Sequence, residues 1–215
     1  MPIAKFGLPY IFAGLAAAAA GFAPPLGWAG RALTALGLAF ACFCAYFFRD
    51  PDRPLPEDPG FLYSPGDGRV LSVEKEGSED GVTVRVFLSI FDVHVQRLPC
   101  SGRIESVRFE TGGFVAAMKP DAKRNERSIV RIAPDGRGES VEVEQITGLI
   151  ARRIRCWVAP GERAVAGMRY GLIQFGSQVA LRIPASAEAV VKPGDRVVGG
   201  VTPLARWSAA GAGKI

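Results

Sequence analysis

Val82-Thr-Val-Arg-Val-Phe-Leu-Ser-Ile90 decides how the chain is read. It alternates apolar and polar residues through Arg85 and then turns wholly apolar, as a strand does when it passes from a sheet edge into a core. Short runs of the same kind, rich in β-branched residues and separated by Gly, Pro and Asp, lie on both sides. They place strands near 69–74, 82–90, 94–98, 103–110, 128–133, 141–147, 153–158, 171–175, 177–183, 188–191 and 195–198. Phe114–Met118 reads as a short helix or an apolar loop ahead of a charged stretch, Lys119–Arg127. Cys100-Ser-Gly-Arg-Ile-Glu-Ser-Val107 and Lys192-Pro-Gly-Asp-Arg-Val-Val-Gly199 each set a tight turn before a strand, a pattern common in compact barrel-sandwich domains. No Lys sits in a Met-Lys-Met turn, which argues against a biotin or lipoate carrier. The expected fold is mainly β: a barrel-sandwich-like β domain, preceded by a hydrophobic helical hairpin.

The hairpin is read from the first third of the chain. Gly7–Ala23 and Ala32–Phe48 are uncharged apolar runs of 17 residues each. As helices they would measure about 25 Å, at the short end for a hydrocarbon core of about 30 Å. Pro24-Pro-Leu-Gly-Trp-Ala-Gly-Arg31 lies between them and must break a helix. Trp28 is expected near a membrane interface, as are Tyr46, Phe47 and Phe48 at the other end. Lys5, Arg49 and Arg53 flank the open end and only Arg31 marks the turn, which favours a cytoplasmic location for both ends and for the domain that follows. A signal peptide over residues 1–23 and a half-inserted hairpin are the rival readings. Asp50-Pro-Asp-Arg-Pro-Leu-Pro-Glu-Asp-Pro-Gly60 is a connector that cannot be helical. The expected division is a membrane-associating hairpin at 1–48 and a β-rich domain at 49–215.

A net charge of +5 over 215 residues, without a dense basic run, speaks against nucleic-acid binding and is at least as consistent with an anionic lipid surface. Cys42 and Cys44 lie in an apolar run, Cys100 and Cys156 stand apart, and there is a single histidine, so no metal site is expected.

Three spots in the β region could carry chemistry. One is Tyr63-Ser-Pro-Gly-Asp-Gly-Arg-Val70, with Asp67 in a turn entering a strand. The second surrounds His94, two residues after Asp92. The third is Phe175-Gly-Ser-Gln-Val179. Each has a plain structural reading, since Asp between glycines forms turns, a strand His is commonly structural, and Gly-Ser commonly makes a bulge. The Gly-x-Ser-x-Gly elbow of many serine hydrolases is missing.

Taken together, these segments resemble the short bacterial and archaeal phosphatidylserine decarboxylases, from Phe47 to Leu204. The resemblance is carried by Phe47-Phe-Arg-Asp-Pro-Asp-Arg53, by Ser64–Val70 (similar to a Pro-Ala-Asp-Gly box), by Phe87–Gly102 around His94, by Asn125-Glu-Arg127 and by Gly176-Ser177. It implies a self-cleaving enzyme. Ser177 Oγ attacks the Gly176 carbonyl to give an ester, elimination leaves a dehydroalanine, and hydrolysis yields a pyruvoyl group and ammonia. The products would be a β chain, 1–176, and an α chain, 177–215. The pyruvoyl ketone would then act as electron sink while phosphatidylserine in the membrane loses carbon dioxide to become phosphatidylethanolamine.

A serine hydroxyl needs a base, and His94 is the only imidazole present. By analogy with other triads Asp67 is expected to fix its tautomer, and the oxyanion is expected to find backbone N–H donors. Longer relatives carry a second histidine three residues after the first, where this chain has Arg97. Either His94 then serves both reactions or Asp67 acts through water in one, and Arg97 becomes a candidate for binding the lipid phosphate or carboxylate. Association of the processed chains into a homo-oligomer is left open. The alternatives are a decarboxylase acting on an archaeal-type serine ether lipid, a non-catalytic membrane-anchored β adaptor, and a Ser-His-Asp lipid hydrolase.

Overall fold

The computed structural model describes residues 2–23, 26–75, 81–149, 153–174 and 177–208. The chain divides into two compact units, Met1–Asp52 and Arg53–Ile215, so the division falls four residues beyond the expected 48/49 boundary.

The first unit is a pair of helices, α1 (Leu8–Ala20) and α2 (Gly27–Phe47). Small residues make their seam: a Cβ on Gly14 would lie 2.8 Å from Gly37 O, and one on Gly37 would lie 2.6 Å from Ala18 N. Such close approach lets backbones pack without large side chains between them. Thr34 Oγ1 adds a hydrogen bond to Ala18 O at 3.1 Å. The helices are unequal, 13 and 21 residues, so only α2 is long and apolar enough to cross a membrane. Of the expected break at Pro24–Arg31, Pro24 and Pro25 lie outside the described residues, and Gly27–Arg31 already belong to α2, which corrects the break's extent. Trp28 is 82% exposed, as an interfacial ring would be. Phe47 and Phe48 are instead fully buried, and Phe48 stacks on Tyr10 with centroids 5.5 Å apart. That corrects their expected interfacial placement.

The second unit is mainly β, as read. Its strands are β1 (Phe61–Tyr63), β2 (Gly68–Lys75), β3 (Val82–Leu88), β4 (Val95–Arg97), β5 (Gly102–Glu110), β6 (Arg127–Pro134) and β7 (Val141–Ile146). They continue with β8 (Ile154–Cys156), β9 (Arg163–Ala164), β10 (Arg169–Ile173), β11 (Ser177–Ile183), β12 (Ala187–Ala189), β13 (Arg196–Val197) and β14 (Pro203–Trp207). An antiparallel sheet of eight, in the order β13-β2-β3-β11-β7-β6-β5-β9, curls into a half-barrel. Two sheets of three, β1-β14-β12 and β4-β10-β8, complete the unit.

Alternation sets the large sheet's two faces. Val84, Val86, Leu88, Val143, Val179 and Leu181 fill the core. Arg85, Glu142, Glu144 and Arg182 alternate with them on the other face, with Arg127–Glu144 and Arg182–Glu142 contacts at 3.5 and 3.4 Å. Burial pushes the Glu144 carboxyl above its ordinary value against the opposing pull of Arg85, Arg127 and Arg182.

One strand reading needs correction. The opening strand stops at Leu88: Asp92 Oδ2 accepts from Ser89 N at 2.9 Å and Asp92 N returns a bond to Ser89 O, so Ile90 and Phe91 turn outward. Of the two readings of Phe114–Met118 the loop holds, and a 3-10 turn lies instead in the charged stretch, at Pro120–Arg124.

Leu181, fully buried between Val84 and Val143, tests the packing of the central strand. Leu181→Ala is expected to lower stability by about 2–5 kcal/mol. Denaturant unfolding of the full chain in detergent checks this; a loss below about 1 kcal/mol would contradict the packing described.

Candidate active site

Ser177 is the first residue of β11 and pairs with Leu88, the last residue of β3. It is fully buried, and its Oγ has no hydrogen-bond partner among the described residues. A buried hydroxyl left unpaired carries a desolvation penalty of about 1–3 kcal/mol, so the surrounding sheet must hold it there. Gly176 and Phe175 lie outside the described residues.

His94 sits one residue before β4 and is also fully buried. Its backbone carbonyl accepts from Ile173 N at 3.4 Å, which ties it to the strand leading toward Ser177. Its Nδ1 lies 3.0 Å from Asp92 O. A carbonyl can only accept, so in the neutral ring Nδ1 carries the proton and Nε2 carries the lone pair. The expected task of Asp67, fixing the tautomer, thus falls to the backbone carbonyl of Asp92.

Asp67 is committed elsewhere. Its two carboxylate oxygens receive Arg53 Nη1 and Nη2 at 2.7 and 2.8 Å, and Oδ1 also accepts from Gly199 N at 2.8 Å. Arg53 Nη1 further donates to Gly199 O at 2.6 Å. A two-pronged ion pair of this kind fixes orientation as well as charge. The turn holding Asp67 is pressed against the strands of the site: a Cβ on Gly66 would lie 3.1 Å from Val179 Cγ2 and 3.3 Å from Leu88 Cδ2. A Cβ on Gly68 would lie 1.9 Å from Phe87 O, so only glycine is accommodated. The turn after β13 closes on the same place, with Gly199 against Gly66.

Arg97 is 3% exposed. Its N–H donates to Pro65 O and its Nη1 to Gly167 O, both at 2.9 Å, and its Cδ lies 2.7 Å from where a Cβ on Gly200 would be. Asn125 is buried and uses its whole amide: Oδ1 accepts from Val115 N, and Nδ2 donates to Val115 O and Thr147 O. The Gln178 side chain donates to Ala117 O. The 114–118 loop is thereby tied to β11 on the face opposite Ser177, and Met118 is left exposed.

The structure therefore joins the Ser177, His94 and Asp67 segments through Leu88, Ile173, Gly66 and the Asp92 turn, while Asp67 itself pairs with Arg53. Sequence reasoning treated Arg53 as a charge flanking the hairpin and as the end of the Phe47–Arg53 segment, and missed this pairing; a carboxylate and a guanidinium 14 residues apart carry no periodic signal. Cys100 is no rival nucleophile. Burial, with a smaller contribution from Asp135, pushes its thiol up to about 12, so it stays protonated.

The family model described as phosphatidylserine decarboxylase matches residues 40–205. The chain is 42% identical to the phosphatidylserine decarboxylase proenzyme of Symbiobacterium thermophilum, over 95% of both chains. It is 43% identical to that of Gluconacetobacter diazotrophicus, over 92% of this chain and 91% of the relative. With the Solibacter usitatus proenzyme the identity is 41%, over 96% and 97%.

The chain belongs to the phosphatidylserine decarboxylase family. This is a family of carboxy-lyases, and the region matched by the model contains β1 to β13 together with Asp67, His94 and Ser177. The shared length with the proenzymes also takes in the N-terminal helices.

In this decarboxylase-family site the Arg53–Asp67 pair is expected to matter for stability. Arg53→Met should lower stability by roughly 1.5–3 kcal/mol through loss of charged hydrogen bonds. Adding Asp67→Asn should recover part of that, because no carboxylate is then left unpaired. Thermal unfolding of the single and double variants checks it; equal losses that simply add would contradict the coupling.

Proposed function

We propose that this chain is a proenzyme that cleaves its own Gly176–Ser177 bond and then decarboxylates phosphatidylserine to phosphatidylethanolamine. The observation that carries the reading is Ser177 itself: a buried hydroxyl without a partner among the described residues, at the head of the central strand. The residues around it suit a pyruvoyl group formed there, since the position is buried and the strand leading toward it is bonded, through Ile173 N, to the carbonyl of the chain's only histidine.

His94 is proposed as the base that takes the Ser177 proton at Nε2, with Nδ1–H held by Asp92 O. The same nitrogen would return a proton to the substrate after carbon dioxide leaves. Asp67 is proposed to serve in its ion-paired form. Held by Arg53 and Gly199 N–H, it fixes the 64–68 turn that walls the site at Leu88 and Val179. Arg97, buried and bonded to Gly167 O, is proposed to brace the Gly167 and Gly200 turns, a different task from the lipid contact considered from sequence. The pyruvoyl group on the α chain would supply the electron sink for decarboxylation.

The apolar hairpin is proposed to hold the enzyme at the cell membrane, where its substrate lies, with the β domain on the cytoplasmic side. Arg53 is neutralised by Asp67, so Lys5 and Arg49 against Arg31 carry that orientation.

The test follows carbon dioxide released from carboxyl-labelled phosphatidylserine in mixed micelles. Wild type is expected to release it, Ser177→Ala to release none, and His94→Ala to fall by at least about 100-fold. Release by Ser177→Ala equal to wild type would overturn the reading.

A further inference from the structure

Two buried amides, those of Gln145 and Gln96, are only half used among the described residues. Gln145 lies on β7 directly opposite Val179 of β11, and so shares the face of the sheet that Ser177 occupies two residues earlier. Such a diagonal neighbour is about 7–8 Å away, within reach of a long side chain. Gln96 lies on β4, two residues after His94, opposite Gly171 of β10. Both glutamines are fully buried. Gln145 Nε2 donates to Gln96 Oε1 at 2.9 Å and to Arg155 O at 3.3 Å. Two acceptors fix the orientation of the Gln145 amide, and its bond to Gln96 Oε1 fixes the orientation of Gln96 in turn. Gln96 Nε2 is left with no acceptor among the described residues.

Room for this arrangement is built into the backbone. A Cβ at Gly171 would lie 2.4 Å from Gln145 Nε2, so any larger residue there would displace the amide. Buried amides are ordinarily satisfied. An unused donor two residues after His94, on an amide held by the diagonal neighbour of a hydroxyl that is also without a partner among the described residues, points to a group that is charged only in passing.

We propose that Gln96 Nε2–H is an oxyanion donor of the self-cleavage, and that Gln145 positions it. The inference rests on the proposed self-processing. As Ser177 Oγ bonds to the preceding carbonyl carbon, the Oγ proton passes to His94 and negative charge collects on the carbonyl oxygen. That oxygen sits on the carbon now joined to Oγ, in a five-membered ring, and so beside Ser177. Collapse breaks the C–N bond, the nitrogen takes up a proton, and the ester remains. The donor binds the charged oxygen in the transition state more tightly than the neutral carbonyl before it, which is how a fixed dipole accelerates acyl transfer.

The experiment follows self-cleavage of freshly synthesised chain, with and without hydroxylamine, which cuts an ester but not the amide. Gln96→Met keeps the volume and removes the donor. It is expected to slow processing about 100- to 1000-fold, with hydroxylamine giving no extra cleavage because the ester forms slowly. Its melting temperature should stay near that of uncleaved Ser177→Ala. Processing within threefold of wild type would overturn the proposal, as would accumulation of a hydroxylamine-sensitive ester, since the amide would then act at a later step. If Gln96→Met does not fold, Gln145→Met decides. It leaves the donor in place but unheld, and should slow processing about 10- to 100-fold; an unchanged rate would overturn the proposal. A wild-type chain that never cleaves would instead sink the proposed function itself.

Discussion

The pairing of Ser177 with Leu88 is the constraint around which the site is assembled. Leu88 ends β3, and the chain must turn there because Asp92 captures Ser89 N. That turn delivers His94, while the same Leu88 side chain packs against the Gly66 turn that carries Asp67. One strand end thus fixes three segments distant in sequence. β11 is held on both edges, by β3 and β7, so its first residue is placed by the ladder and not by a free loop. Buried strand pairs specify register tightly, because a one-residue slip would exchange core and surface faces.

The electrostatics of the site follow from who holds whom. A histidine whose Nδ1–H meets a backbone carbonyl carries its lone pair on Nε2. The carboxylate that might have played that part is held by Arg53 and Gly199 N–H. The arrangement separates two tasks that a triad merges: the peptide carbonyl orients His94, and the ion pair ties the Gly66 turn to the residues after β13.

Much of this architecture was legible in the sequence. Alternating β-branched runs such as Val82–Leu88 and Ser177–Ile183 announced their strands, because one face must be apolar to be buried. β1, β9 and β14 were missed for physical reasons: Phe61–Tyr63 and Arg163–Ala164 are only three and two residues long, and β14 is a five-residue run that opens on Pro203 and holds Arg206. Hydropathy marked both helices but not their lengths, since α1 is shorter than its apolar run and α2 starts five residues earlier than its own, at Gly27, limits set by packing and turn geometry that composition does not encode. Phe47 and Phe48 looked interfacial by type and proved buried, stacking being a property of three-dimensional neighbours. At the site, Ser177, His94 and Asp67 were visible as residue types. The partners that give them their roles were not: Asp92 acts through a carbonyl that every residue has, Arg53 pairs across a proline-rich connector, and Gln96 and Gln145 meet between two sheets.

The central claim is that the bond before Ser177 is broken by the chain itself and that the serine nitrogen is lost. Intact mass spectrometry of the purified, folded protein measures this directly. The account predicts a fragment ending at Gly176 and a 177–215 fragment lighter, by one ammonia, than the peptide of that sequence, with Ser177→Ala remaining whole. A wild-type chain recovered at the mass of the uncut 215 residues, or a 177–215 fragment with an intact serine at its head, would contradict it.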